Sequence, residues 1–248
     1  MILAPLEQFQ ILVLFNFKVF GFDFSFTNFL MINFLSFFII FNVFFFNSFN
    51  KNSFYFIANA WQKILEIFSS IVAQLISDII TKKNEKYFPF ILLIFYFILL
   101  SNLIGLIPYT FTTTSHLFVT FLLSFSIFFG INLITIETYG FKFFSLFLPA
   151  NTSFFLALVL VPIEFVSYIA KPVSLGVRLF INLMAGHTLI KVIAGFAWSM
   201  LGLKNLVSFG SIIPMLTLVV LFGLELGVAF IQTYVFIILI CIYIQDGT

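Results

Sequence analysis

Seven polar residues in the C-terminal half of the chain have the chemistry to carry or block a charge: Glu164, Arg178, Asn182, His187, Glu225, Gln232 and Asp246. Carboxyl and imidazole groups can be brought near neutral pKa by their surroundings, so Glu164, His187, Glu225 and Asp246 are candidate proton carriers. Arg178 cannot give up its proton and acts as a fixed positive charge. It is the only arginine in 248 residues, within the stretch Lys171-Pro-Val-Ser-Leu-Gly-Val-Arg178-Leu-Phe-Ile-Asn182-Leu-Met-Ala-Gly-His187. A guanidinium at mid-bilayer costs from about 2.5 to more than 10 kcal/mol, and such residues usually face a cavity or a partner. Snorkelling to an interface, or locking two helices together, is the plainer alternative.

The spacing of these residues is ordered. Two long apolar stretches, 153–201 and 208–246, are joined by Gly202-Leu-Lys-Asn-Leu-Val-Ser-Phe-Gly210. Folded back at about residue 205, two antiparallel helices of equal rise pair positions whose numbers sum to ~410. Arg178 then faces Gln232, Glu164 faces Asp246, and His187 falls two residues from facing Glu225. Lys171 and Lys191 fall outside these layers and are expected to snorkel or face a cavity. Arg178 and Asn182 share a helix face, Glu225 and Gln232 are a heptad apart, and Asp246 lies two heptads further on. His187 is half a turn out of phase with Arg178, so it lines a different wall. Two layers containing carboxylates thus lie toward opposite surfaces with a permanent cation between them. A proton entering from one side would be repelled at Arg178 and would cross only on something mobile. Taken singly, each carboxylate could equally be a paired or snorkelling charge.

The elements that position these residues follow from composition. The chain is 62% hydrophobic and 8% charged, with a mean hydropathy of +1.22. That excludes an ordinary soluble domain, and the continuous apolar runs exclude a barrel of alternating strands. An all-α membrane protein remains. A net charge of +2 gives no nucleic-acid footprint, and one cysteine, Cys241, provides neither a disulfide framework nor metal-ligand spacing. No cofactor is expected. Phenylalanine supplies 42 residues, which points to TTT codons in an AT-rich genome and fits an organelle.

In chain order, residues 1–28 are too interrupted to span and form a surface segment; Phe20-Gly-Phe-Asp-Phe-Ser-Phe26 alternates with period two, a short strand or hairpin. Residues 29–49 make a first transmembrane helix. In 57–82 the apolar residues recur at steps of three and four, an amphipathic helix suited to the membrane interface or to a soluble partner. Residues 88–136 form a transmembrane hairpin. Residues 151–248 form a second hairpin, whose stretches of 40 to 50 residues would be ~60 to 75 Å long as continuous helix. Against a hydrocarbon core of about 30 Å, each is either two spans or one strongly tilted helix, and the weak interruptions favour the tilted form. Asn151-Thr-Ser matches a glycosylation sequon that is common by chance. Lys51, Lys63, Lys82, Lys83, Lys86 and Lys142 fall on one side if the spans alternate, which places the N-terminus outside.

At the arginine stretch the chain resembles subunit a of the F-type ATP synthase in its mitochondrial form. Pro5-Leu-Glu-Gln-Phe9, Ser101-Asn-Leu-Ile-Gly-Leu-Ile-Pro108, Thr112-Thr-Thr-Ser-His116, and Glu225 with Gln232 extend the likeness over most of its length. The resemblance implies a proton-translocating stator subunit in the mitochondrial inner membrane, packed against a ring of c subunits with membrane-buried carboxylates and against other Fo stator subunits. By resemblance, His187 and Glu225 belong to a half-channel on the intermembrane side, with Asn182 and Gln232 near the ring contact. Glu164 and Asp246 resemble the matrix half-channel, and Arg178 the barrier to a short circuit. Bacterial members often exchange the acid and histidine at 187 and 225, so this pair is also mitochondrial in type. The chain has no Walker A sequence, so it would bear no nucleotide site within the ATP synthase. A secondary transporter would also bury charges at mid-membrane but usually shows an internal repeat, and no second copy of the arginine stretch is present. A membrane scaffold would account for 57–82 but not for the polar layers.

Overall fold

The computed structural model describes residues 7–19, 22–49, 60–80, 82–107, 110–140, 154–202 and 210–246. Lys51, Lys142, the Asn151 sequon and Lys204 lie outside them. Among the described residues are six α-helices: α1 Asn28–Phe49, α2 Ala60–Ile79, α3 Phe88–Leu106, α4 Leu117–Tyr139, α5 Phe154–Leu201 and α6 Ile212–Asp246. Helices α3 to α6 are each long and apolar enough to cross a membrane, as a multi-pass membrane protein requires. In α1, side chains are described only as far as Asn42, and that part is apolar.

The chain divides into two compact units. One comprises Met1–Phe54, Tyr96–His116 and Leu179–Thr233; the other comprises Tyr55–Phe95, Leu117–Arg178 and Tyr234–Thr248. Helices α3, α5 and α6 each contribute to both.

In the first unit, four short strands precede α1: β1 Val13–Phe15, β2 Lys18–Val19, β3 Phe22–Asp23 and β4 Phe26–Thr27. β1 pairs with β4 and β2 with β3, both antiparallel, so the period-two stretch is a nested hairpin. Thr27 Oγ1 accepts from Leu30 N at 3.5 Å, the position of an N-cap for α1. Asn28 ties the hairpin to that start. Its Oδ1 accepts from Leu12 N at 3.2 Å, and its Nδ2 donates to Gln10 O at 3.1 Å. The turn between α3 and α4 is uncharged, and Phe111 to Ser115 are buried.

In the second unit, α2 buries Val72 and Ile76 while Lys63, Glu66, Gln74, Ser77 and Asp78 are exposed. Its amphipathic period is therefore expressed, with Phe68 meeting Phe95 of α3 at 6.0 Å between ring centroids. Hydroxyls inside the apolar helices bond to their own backbone. Ser124 Oγ donates to Phe121 O at 2.9 Å and Thr135 Oγ1 to Asn132 O at 2.8 Å, which hides a polar group from lipid.

Helix α5 runs for 48 residues through Pro162 and Pro172, and α6 for 35. Each C-terminal stretch is thus one helix and not two spans. At 1.5 Å per residue α5 extends about 72 Å. Proline removes a backbone donor, yet such residues are tolerated in membrane helices when neighbouring groups satisfy what is freed.

Candidate functional site

In the first unit three helices bring polar side chains to one cavity. Helix α5 supplies Asn182 and Gly186, one turn apart on the same face; α6 supplies Glu225 and Gln232, a heptad apart; α3 supplies Asn102. The cavity holds about 240 Å³, and the rest of its wall is leucine, valine and alanine. At roughly 30 Å³ per water, that is room for several. Asn182 Nδ2 donates to Gln232 Oε1 at 3.1 Å, and Gln232 is 5% exposed, so this amide pair fixes the register of α5 against α6 from buried groups.

Glu225 lies directly against Gly186. A Cβ at position 186 would stand 2.8 Å from Glu225 Cδ, so only glycine leaves the carboxyl its place. Both Glu225 carboxyl oxygens, and both polar atoms of the Asn102 amide, are buried without a hydrogen-bond partner among the described residues. Buried polar groups are almost always paired, because an unpaired one costs about 1 to 3 kcal/mol. A carboxyl kept this way beside a cavity is available to water or to a proton.

His187 is also buried, at 9% exposure, but it does not line this cavity. Its ring meets the edge of Phe9 at 6.4 Å between centroids and 70° between planes, and its Nε2 has no hydrogen-bond partner among the described residues. Successive helical residues point about 100° apart, so with Gly186 against α6, His187 turns to the N-terminal segment. The expected layers are thus corrected in detail. Gln232 pairs with Asn182 one turn beyond Arg178, and Glu225 meets Gly186 and not His187.

In the second unit Glu164, Lys171 and Arg178 recur at heptad spacing on α5, and all three side chains are exposed. Arg178 has no ion-pair partner among the described residues. Its helix is seated by Gly176, where a Cβ would lie 2.7 Å from Ser124 Oγ and 3.0 Å from Thr120 O of α4. Small residues permit such close helix approach. The Lys171 ammonium stands 5.9 Å from the Tyr168 ring centroid and 5.3 Å from that of Tyr243 on α6, both within cation–π range. Tyr168 donates its hydroxyl to Asn132 Oδ1. Asp246 is the last residue of α6; its side chain is outside the description.

Four residues of these sites escaped sequence reasoning. Asn102 carried a signal, as an amide inside a strongly apolar run. Gly186 was weighed only as a helix interruption, and Phe9 and Tyr243 could not be told from other aromatics. Among the described residues no cluster of His, Cys, Asp and Glu could hold a metal ion.

A family model described as ATP synthase A chain matches residues 30–245. The chain is 50% identical to ATP synthase subunit a of Pylaiella littoralis, over 98% of this chain and 97% of the relative. It is 47% identical to ATP synthase subunit a of Chondrus crispus, over 99% and 96%. The corresponding protein of Marchantia polymorpha is 41% identical over 98% and 97%. Identity at this level over almost the whole length, on a set of membrane-crossing helices that carry buried polar groups, has one consequence: the chain belongs to the ATP synthase subunit a family.

Proposed function

We propose that this chain is the proton-translocating stator subunit of the Fo sector, in the mitochondrial inner membrane, and that it serves a ring of c subunits through two offset half-channels. The observation that carries this reading is the Glu225 carboxyl, buried with both oxygens unpaired at a cavity shared with Asn102, Asn182 and Gln232. Protons from the intermembrane side pass by His187 and Glu225 toward Asn182 and Gln232, where a ring carboxylate takes them up. The neutralised carboxyl turns away with the ring and later releases its proton toward Glu164 and Asp246 on the matrix side.

Arg178 is the divide. It holds its charge at every working pH, repels a proton that would step straight from one half-channel to the other, and attracts a ring carboxylate that has just lost its proton. Its exposed side chain, free of ion pairs among the described residues, suits a residue whose partner is another subunit. Helices of about 72 and 53 Å are too long to stand upright in a core of about 30 Å, so α5 and α6 lie tilted and sweep along the ring. A proton moving through 100 mV gains about 2.3 kcal/mol, so several must pass for each ATP made elsewhere in the complex. Phenylalanine enrichment and the His187 and Glu225 pair support the mitochondrial assignment.

The test is ATP-driven proton pumping and passive leak in vesicles that contain the whole complex, wild type against Arg178→Ala. Loss of pumping with leak retained or raised is the expected result. Unchanged pumping would reduce Arg178 to a structural clamp and overturn the assignment.

A further inference from the structure

The function proposed above leaves the N-terminal segment unused, yet it lies on one of the residues that matter most. Residues Glu7–Phe9 form a single 3-10 turn, with Gln10 N donating to Glu7 O at 3.2 Å. Phe9 is 8% exposed and presents its ring to His187, while Glu7 is exposed. Lys191 lies one helical turn beyond His187 on the same face of α5. The charges of Glu7 and Lys191 act on one another, and that of Lys191 acts on His187.

We propose that the turn Glu7–Phe9 is a positioning element for proton uptake at His187: Phe9 holds the imidazole, and the Glu7 carboxylate offsets the Lys191 cation that would otherwise repel a proton from it. Glu7 and Phe9 are positioning residues and do not themselves enter the transfer. The arrangement rests on His187 being in the proton path, as the function proposed above has it.

The physical argument is one of like charges. A histidine that takes a proton becomes a cation, and Lys191 at i+4 is already one, so the pair opposes protonation. Two unit charges in partly buried surroundings interact strongly enough to matter, because the effective dielectric is far below that of water. A carboxylate beside the lysine cancels most of this at the position where a proton would arrive. The other groups around His187 do not supply that negative charge at the same place. Glu225 of α6 is directed at Gly186, Asn102 of α3 is neutral, and Phe9 is apolar. His116 is engaged elsewhere, stacked on Phe111 and edge-on to Phe29. Glu7 is thus the acid that the N-terminal turn brings to Lys191. On the sequence-based topology the N-terminus lies outside, the side from which uptake through His187 would begin.

The experiment uses the whole complex in phospholipid vesicles, with ATP synthesis driven by a fixed voltage at equal pH on both faces. The rate is followed across the imidazole range for wild type, Glu7→Gln, Glu7→Asp, the double variant Glu7→Gln with Lys191→Gln, and Glu225→Gln. Glu7→Gln is expected to move the midpoint of the pH profile to the acid side by about half a unit or more, from the uncompensated lysine. At neutral pH its rate then falls roughly threefold. Glu7→Asp keeps the charge and holds the wild-type midpoint, and the double variant returns toward it.

A turn that merely packs would lower the rate without moving the midpoint, so an unmoved Glu7→Gln profile overturns the inference. A shift that the double variant fails to reverse overturns it as well. Glu225→Gln separates the two levels. If it abolishes synthesis while Glu7→Gln behaves as wild type, only the role of the turn fails. If Glu225→Gln leaves synthesis intact, the proton path itself is wrong, and the role of Glu7 falls with it.

Discussion

The two units treat their polar residues in opposite ways. In the first, Asn102, His187, Glu225 and Gln232 are drawn inward, and the Asn182–Gln232 hydrogen bond is closed within the chain. In the second, Glu164, Lys171 and Arg178 stand exposed at heptad intervals along α5. The first unit completes its cavity with its own side chains. The second displays charges that lipid cannot solvate, and a partner of complementary shape and charge is the simplest way to satisfy them. The difference teaches that burial and function need not coincide: the residue with the largest proposed effect, Arg178, is among the exposed ones.

The sharpest way to break this comparison is to neutralise each side in turn. Glu225→Gln keeps the volume and removes the titrating group, and is expected to lower proton flux through the assembled complex by more than about tenfold, as measured with a pH-sensitive dye in vesicles. Flux at the wild-type rate would mean that the cavity is a packing defect and not a path.

The two close-approach glycines should then separate transport from assembly. Gly186→Ala pushes on the Glu225 carboxyl, the movable end of a side chain, so the complex should assemble but conduct several-fold less. Gly176→Ala instead presses on Thr120 O at 3.0 Å and Phe121 Cα at 3.2 Å, which are backbone. It should destabilise by about 1 to 3 kcal/mol and show as reduced assembly on native gels. If both variants fail in the same manner, the distinction between the units is lost.

Smaller effects sharpen the contrast. Asn182→Leu leaves the Gln232 acceptor buried and unpaired, with an expected loss of about 1 to 3 kcal/mol in heat inactivation of the complex. Tyr243→Leu removes one ring from an exposed lysine, so about 0.5 to 1 kcal/mol is expected in the same assay. His116 should give the smallest effect. Burial between Phe111 and Phe29 pushes its imidazole below the usual value. The unfolded chain therefore takes up this proton first as pH falls through the ordinary imidazole range, and the folded form loses stability there. The contribution is fully present above that range. His116→Phe should flatten this acid limb and leave the stability at higher pH unchanged.

Much of the architecture was legible because lipid imposes few solutions. Apolar runs such as 88–106 and 117–139 must be helices, since backbone groups in hydrocarbon have no other partner. The 3.6-residue period of α2 was equally plain, and Arg178 stood out by rarity alone. The pairing across the hairpin was legible only to within a turn. A sum rule places Gln232 opposite Arg178, whereas the hydrogen bond is to Asn182, four residues on. Helix rise fixes the spacing of residues along one helix, but the offset between two helices depends on where they touch. Here that is set by an amide pair and by the missing side chain of Gly186.

The sequence by itself determined a multi-pass helical protein, the heptad order of its charges and the identity of its one permanent cation, because these follow from hydropathy and helical period. Only the tertiary structure decided that α5 and α6 each run unbroken, that Glu225 shares its cavity with Asn102, and that His187 turns to Phe9. Those are properties of contact between segments far apart in the chain. Contact depends on side-chain volume and interhelical offset, which no local pattern encodes.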